Sequence, residues 1–206
     1  MYSEQPGSAF YSEAASDYEL SKALTPEQTT IARYWADGPG TISGPGHSLA
    51  VVNEVLRQQH ADLSQAAEAY ARAGIANAGA VTALWWVKYH YDLIRPVTYT
   101  RRVIDPTWSP LLPTPPFPEY VSAHSAQSAA AMTTLEALFG ADVPFVDLAH
   151  VADGFTPRSF GRIVAAAEEA GMSRLYAGIH FRSGNLNGQA LGLCVAAKVD
   201  EPGWRR

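Results

Sequence analysis

Proline placement constrains this chain more than any other feature. From Ser64 to Ile94 the run SQAAEAYARAGIANAGAVTALWWVKYHYDLI holds strong helix formers and no proline, which predicts one long helix stopped by Pro96. Seven prolines then fall between Pro96 and Pro118. That segment also carries Trp108, Leu111, Leu112 and Phe117, so it reads as an ordered loop rather than a linker. It ends in PPFPEYVSAHS, where the prolines fix, at low entropic cost, the direction in which Ser122 and His124 enter an alanine-rich helix.

The remaining segments extend the helical pattern. Thr25, Pro26 and Gln28 form a capping signature for a helix from about residue 26 to Trp35. Gly38, Gly40, Gly44 and Gly46, with Pro39 and Pro45, then force a loop. Further helices are expected over about 48–60, 124–139, 158–172 and 185–198, with no alternating strand. The expected class is all-α, arranged as an N-terminal polar extension (1–25), a single all-α domain (26–200) and a C-terminal tail (201–206).

Composition excludes several classes. With 206 residues, 47% of them hydrophobic and 17% charged, the chain can bury a full core. A net charge of −5 without a long basic run argues against nucleic acid or an anionic membrane as partner. No stretch of about 18 apolar residues suggests a membrane span, and residues 1–20 lack the pattern of a signal peptide. Cys194, the single cysteine, reads as a small apolar residue of the last helix.

Three elements carry chemistry. Lys88, one of three lysines, sits in an aromatic and aliphatic stretch. Seven positions on a helix return to nearly the same azimuth, about 20° away, so Lys88 and Arg95 are expected on one face with Asp92 between them. An exposed Lys88–Asp92–Arg95 ion-pair ladder would explain this pair equally well. The second element is the first turn at Ser122, Ala123 and His124, whose free N–H groups favour an anion, although Ser122 acting only as a cap is the simpler account. The third is SRLYAGIH, in which a break near Gly178 is needed for Arg174 and His180 to face one pocket.

Together, Lys-x6-Arg-Pro, Ser-x-His and Ser-Arg-x5-His, in this order, resemble the superfamily of vanadium-dependent haloperoxidases and type 2 phosphatidic acid phosphatases. YWADGPGTISGPGH and LLPTPPFPEYVSAHS look like its bacterial haloperoxidase branch, and the resemblance covers roughly residues 26–193. It implies a helical bundle equivalent to the C-terminal catalytic half of longer relatives. Vanadate is the implied cofactor, with phosphate or sulfate able to stand in. Lys88, Arg95, Arg174, Ser122 and the Ala123 N–H would bind its oxygens. His180 would be the protein ligand to the metal, and His124 the acid–base group. Lys88 would polarise the oxygen attacked by halide, Trp85 and Phe117 would wall the halide side, and Asp37 would be a carboxylate partner of Arg174. The implied partners are hydrogen peroxide, halide and a small organic substrate, with a homo-oligomer open. Periplasmic or secreted localisation follows from the resemblance, and cytoplasmic localisation if the chain is complete.

Three positions depart from the family pattern. Val121 replaces the usual proline and Ala123 the usual glycine, the latter keeping its N–H if φ is negative. Gly184, beside Asn185, stands where an aspartate often orients the metal-binding histidine; the expectation is a less basic His180. Three functions are therefore carried: haloperoxidase, acid phosphatase with His180 as nucleophile, and a degenerate oxyanion-binding domain. His47, His60, His90 and His150 match no motif and are taken as ordinary histidines.

Overall fold

The structure, a computed structural model, describes residues 2–201. In order, it contains α1 (Ala9–Lys22), α2 (Pro26–Tyr34), α3 (Gly44–Gln58), α4 (Leu63–Tyr91), α5 (Pro96–Val103), α6 (Ala123–Phe139), β1 (Phe145–Asp147), β2 (Arg158–Phe160), α7 (Ile163–Tyr176) and α8 (Arg182–Val199). The fold is a helical bundle with one short antiparallel pair, Phe145 opposite Phe160.

Helix α6 is the axis, packed by α3, α4, α7 and α8. Its residues Ser125 to Met132 are all buried, so this stretch has no solvent face, and its mostly small side chains let neighbours approach closely. Helix α8 uses this directly. A Cβ at Gly192 would overlap the Ala126 carbonyl and lie 2.7 Å from Ala129 Cβ, and one at Gly188 would lie 2.6 Å from the Ser122 carbonyl. The larger core lies between α2, α3, α6, α7 and the strands, built on Tyr34, Trp35, Val51, Val55, Met132, Leu135, Phe145 and Ile163.

Several expectations are corrected. The long helix ends at Tyr91, before Pro96, because Asp92 turns left-handed with φ 45°. Pro96 then opens α5 instead of a loop, as proline at the first helical position allows. The segment 158–160 is a strand, and α7 begins only at Ile163. Within the expected polar N-terminal extension (1–25), residues 9–22 are helical. They form α1, whose Phe10 packs on Tyr99 and Phe181, while Asp17 and Glu13 accept the N–H groups of Arg182 and Ser183. α1 thus supplies anionic caps to the start of α8, which has no side-chain cap of its own. Cys194 is exposed. The expected tail lies outside the described residues apart from Glu201. Among the described residues no helix is long and apolar enough to cross a membrane.

Candidate active site

Lys88 and Arg95 do meet, but not by sharing a helix face. Lys88 is in the last turn of α4, and Arg95 is the N-cap of α5 after the Asp92 turn. Asp92 is exposed and does not bridge them. Lys88 is 0% exposed and gives two N–H bonds to the carbonyls of Pro118 and Glu119, both at 2.9 Å. Arg95 donates to the Phe117 carbonyl at 2.8 Å and, through Nη1, to the Ile179 carbonyl at 2.9 Å. The proline-rich segment thus ends in three carbonyls that hold two cations. Burial, reinforced by Arg95, pulls the Lys88 pKa down to about 7.

Arg174 arrives from the last turn of α7, donating to the Trp35 carbonyl at 2.6 Å. The chain then turns at Gly178, φ 73°, and returns with His180. The expected break is where glycine permits it. Arg95 Nη1 lies 3.0 Å from His180 Nε2. Burial first, then Arg95, Lys88 and Arg174, push the His180 pKa well below its ordinary value, so the imidazole is neutral. Arg95 Nη2 and Arg174 Nε are buried donors with no acceptor. Such orphans cost roughly 1–3 kcal/mol each unless an anion meets them.

Ser122 is the N-cap of α6, and Ala123 opens the helix, so its φ is negative and its N–H has no helical acceptor. Ser122 is fully buried and its N–H donates to the Gly184 carbonyl at 3.0 Å, joining the two helix starts. A cavity of about 620 Å³ opens over the group, lined by Asp37, Trp85, Phe117, Ala123, His124, Arg174 and His180 among others. Lys88, Arg95 and Ser122 are buried and are not part of this lining. Trp85 and Phe117 meet edge to face at 5.0 Å, and Phe117 also covers Lys88 and Arg95 with its ring.

Asp37 differs from its expected role. It forms no ion pair with Arg174; its Oδ2 lies 3.1 Å from His124 Nε2, and its Oδ1 2.9 Å from His47 Nδ1 and 3.0 Å from His150 Nε2. His47 reaches Asp147 at 2.8 Å through its other nitrogen, and His150 reaches Asp153 at 2.7 Å. A neutral imidazole has one N–H, so a ring with carboxylates at both nitrogens requires the second proton. The bonds to Asp147 and Asp37 overcome burial and raise the His47 pKa to about 9, and the bond to Asp37, helped by Asp153, raises that of His150. These bonds hold Asp37 below the ordinary carboxylate range despite its burial. His124, lowered by burial and by Arg174, stays neutral and is 20% exposed to the cavity. His47 and His150, expected from the sequence to be ordinary histidines, belong to this network; a histidine ten residues beyond a buried aspartate gives no periodic signal.

The network predicts a pH dependence. The folded His47 pKa lies above the ordinary value of 6.5, so its contribution to stability is complete below about pH 6.5 and fades as pH rises through 9. Urea unfolding should show the widest gap between wild type and His47→Gln at pH 6, narrowing by pH 10. The remainder reflects lost stacking on Trp35, whose ring lies 4.2 Å away. A gap independent of pH would contradict the imidazolium.

Glu119 is a further residue for which the sequence gives no signal. It is fully buried, its Oε1 accepting from His180 Nδ1 at 2.6 Å and from the Phe181 N–H at 3.1 Å. Burial raises its pKa to about 7 against the pull of the Phe181 N–H, Arg95 and Lys88. His180 therefore does have a carboxylate partner, contrary to the expectation drawn from Gly184.

This constellation of cationic floor, helix N-terminus and two histidines can now be set beside known proteins. Residues 68–202 match the family described as the VCPO second helical-bundle domain. The chain belongs to the vanadium haloperoxidase family. It is similar, at 36% identity and a TM-score of 0.93, to the crystal structure described as the first bacterial vanadium-dependent iodoperoxidase, over 97% of this chain and 50% of that one. Holo-type and apo-type bacterial vanadium-dependent chloroperoxidases share the fold at 18% identity and a TM-score of 0.68, covering 93% and 92% of this chain and 47% and 48% of theirs. This haloperoxidase-family chain thus spans about half the length of the solved structures it matches. No curated protein sequence matches it.

Proposed function

We propose that this chain binds vanadate and catalyses the oxidation of halide by hydrogen peroxide. The observation that carries the reading is the pair of orphaned buried donors, Arg95 Nη2 and Arg174 Nε, beside the unprotonated Nε2 of His180. A tetrahedral oxyanion satisfies both donors, and a neutral imidazole nitrogen is a ligand for its central metal. Arg95, Arg174, the remaining N–H of Lys88, the Ser122 hydroxyl and the Ala123 N–H would hold the oxygens, and His180 the metal. Bound vanadate supplies Lewis acidity toward peroxide at constant oxidation state.

The other residues divide the remaining work. In overall balance, H₂O₂, halide and a proton give hypohalous acid and water, so a proton must be delivered. We assign that role to His124; supporting it, Asp37 engages Nε2 and leaves Nδ1 as the other proton site. Trp85 and Phe117 keep water from the halide side of the cavity. His180→Ala should lose vanadate in equilibrium dialysis, whereas His124→Ala should retain it and lose roughly 100-fold or more of the halide oxidation rate. Equal retention by both variants would contradict the assignment.

Glu119 also favours a second reading, acid phosphatase, since a carboxylate on Nδ1 makes His180 a better nucleophile. Bromide or iodide oxidation after vanadate loading, measured against phosphomonoester hydrolysis without vanadate, separates the readings. Hydrolysis alone would replace the first by the second. Binding without either activity would leave an oxyanion-binding domain.

A further inference from the structure

We propose that Glu119 is the positioning residue of His180, and that Gly184 is glycine because Glu119 occupies the space its side chain would need. The proposal rests on the vanadate reading for its purpose, while its geometry stands alone. His180 contacts a group of fixed hydrogen-bond sense on each side. A guanidinium can only donate, so Arg95 Nη1 at 3.0 Å requires a lone pair on Nε2. The proton is then on Nδ1, where Glu119 Oε1 accepts it at 2.6 Å. The ring is fixed in tautomer and in plane, with the metal-binding lone pair directed toward the cations.

Glu119 is itself anchored along its length. Its N–H donates to the Leu93 carbonyl at 2.9 Å, its carbonyl accepts from Lys88, and its carboxylate accepts the Phe181 N–H. One residue therefore links the lysine of α4 to the histidine before α8. A Cβ at position 184 would lie 2.9 Å from both Cδ and Oε2 of Glu119, and closer still to Oε1. A carboxylate projecting from α8 and one projecting from residue 119 are alternatives for the same place. In this chain the carboxylate beside the histidine comes from residue 119 and not from residue 184.

The test uses Glu119→Ala, Glu119→Gln and the double variant Glu119→Ala/Gly184→Asp, with melting temperature as the fold control. Imidazole ¹⁵N spectra of the vanadate-free protein should show His180 protonated at Nδ1 in wild type and Glu119→Gln, and a mixture of tautomers in Glu119→Ala. Vanadate Kd from equilibrium dialysis should weaken by about 10–100-fold in Glu119→Ala and less in Glu119→Gln, which keeps an acceptor oxygen. The double variant should regain most of the loss. A single Nδ1–H tautomer and wild-type Kd in folded Glu119→Ala would overturn the proposal, as would a folded double variant no better than Glu119→Ala. If Glu119→Ala does not fold, the double variant carries the decision against Glu119→Gln. A wild-type chain that binds no vanadate would refute the proposed function, and the ¹⁵N spectra would still decide the role of Glu119.

Discussion

Millimolar orthovanadate should raise the melting temperature of the wild-type chain, and Arg174→Ala should remove most of that rise. A ligand present at 100 times its Kd stabilises the folded state by about 2.7 kcal/mol. At about 2–4 °C per kcal/mol for a chain of this size, the expected rise is about 5–10 °C. Arg174 is the deciding residue because its Nε, like Arg95 Nη2, is a buried donor left without an acceptor, while its Nη1 is already engaged by the Trp35 carbonyl. The comparison that matters is the shift with and without vanadate in each variant, since removing a buried cation changes the starting temperature too. Phosphate should act in the same direction at higher concentration. An unchanged wild-type melting curve would dispose of the anion cage.

The second large effect is expected far from any chemistry. Gly192→Ala should destabilise the fold by about 3 kcal/mol or more, or about 6–12 °C, because the added methyl meets backbone at the Ala126 carbonyl and, at 2.9 Å, the Ala130 nitrogen. Neither atom can move without unseating α6. Gly74→Ala is the control. It too lies within a helix, but a Cβ there meets nothing within 4 Å, so the propensity gain of about 0.5–1 kcal/mol should appear undiluted. Thermal melts of the two variants should move in opposite directions. A neutral Gly192→Ala would mean that α6 and α8 are free to separate.

The helices were legible wherever local signals suffice. The capping box at Thr25 and Gln28, the small-residue run after Ser122 and the turn at Gly178 are found where the sequence places them. Lys88, Arg95, Arg174 and His180, grouped in the sequence by their motifs, lie near one another in the structure, but not through the shared helix face expected for the first two. Asp92 ends α4, and backbone carbonyls of residues 117–119 bring the cations together instead. Pairings across long sequence separations stayed hidden: Asp37 with His150, 113 residues apart, and Glu119 with His180, 61 apart. Both carboxylates stood in segments already marked as informative. Nothing in periodicity or composition says which distant imidazole a carboxylate will meet.

The space shared by positions 119 and 184 couples the two residues. Carboxylates at both would put two anionic groups in one buried volume, so each side chain limits what the other can be. An acidic residue introduced at position 184 should therefore be accepted far better once Glu119 has been shortened than while it is in place. The two substitutions should be strongly non-additive, and neither position can be judged from a single variant.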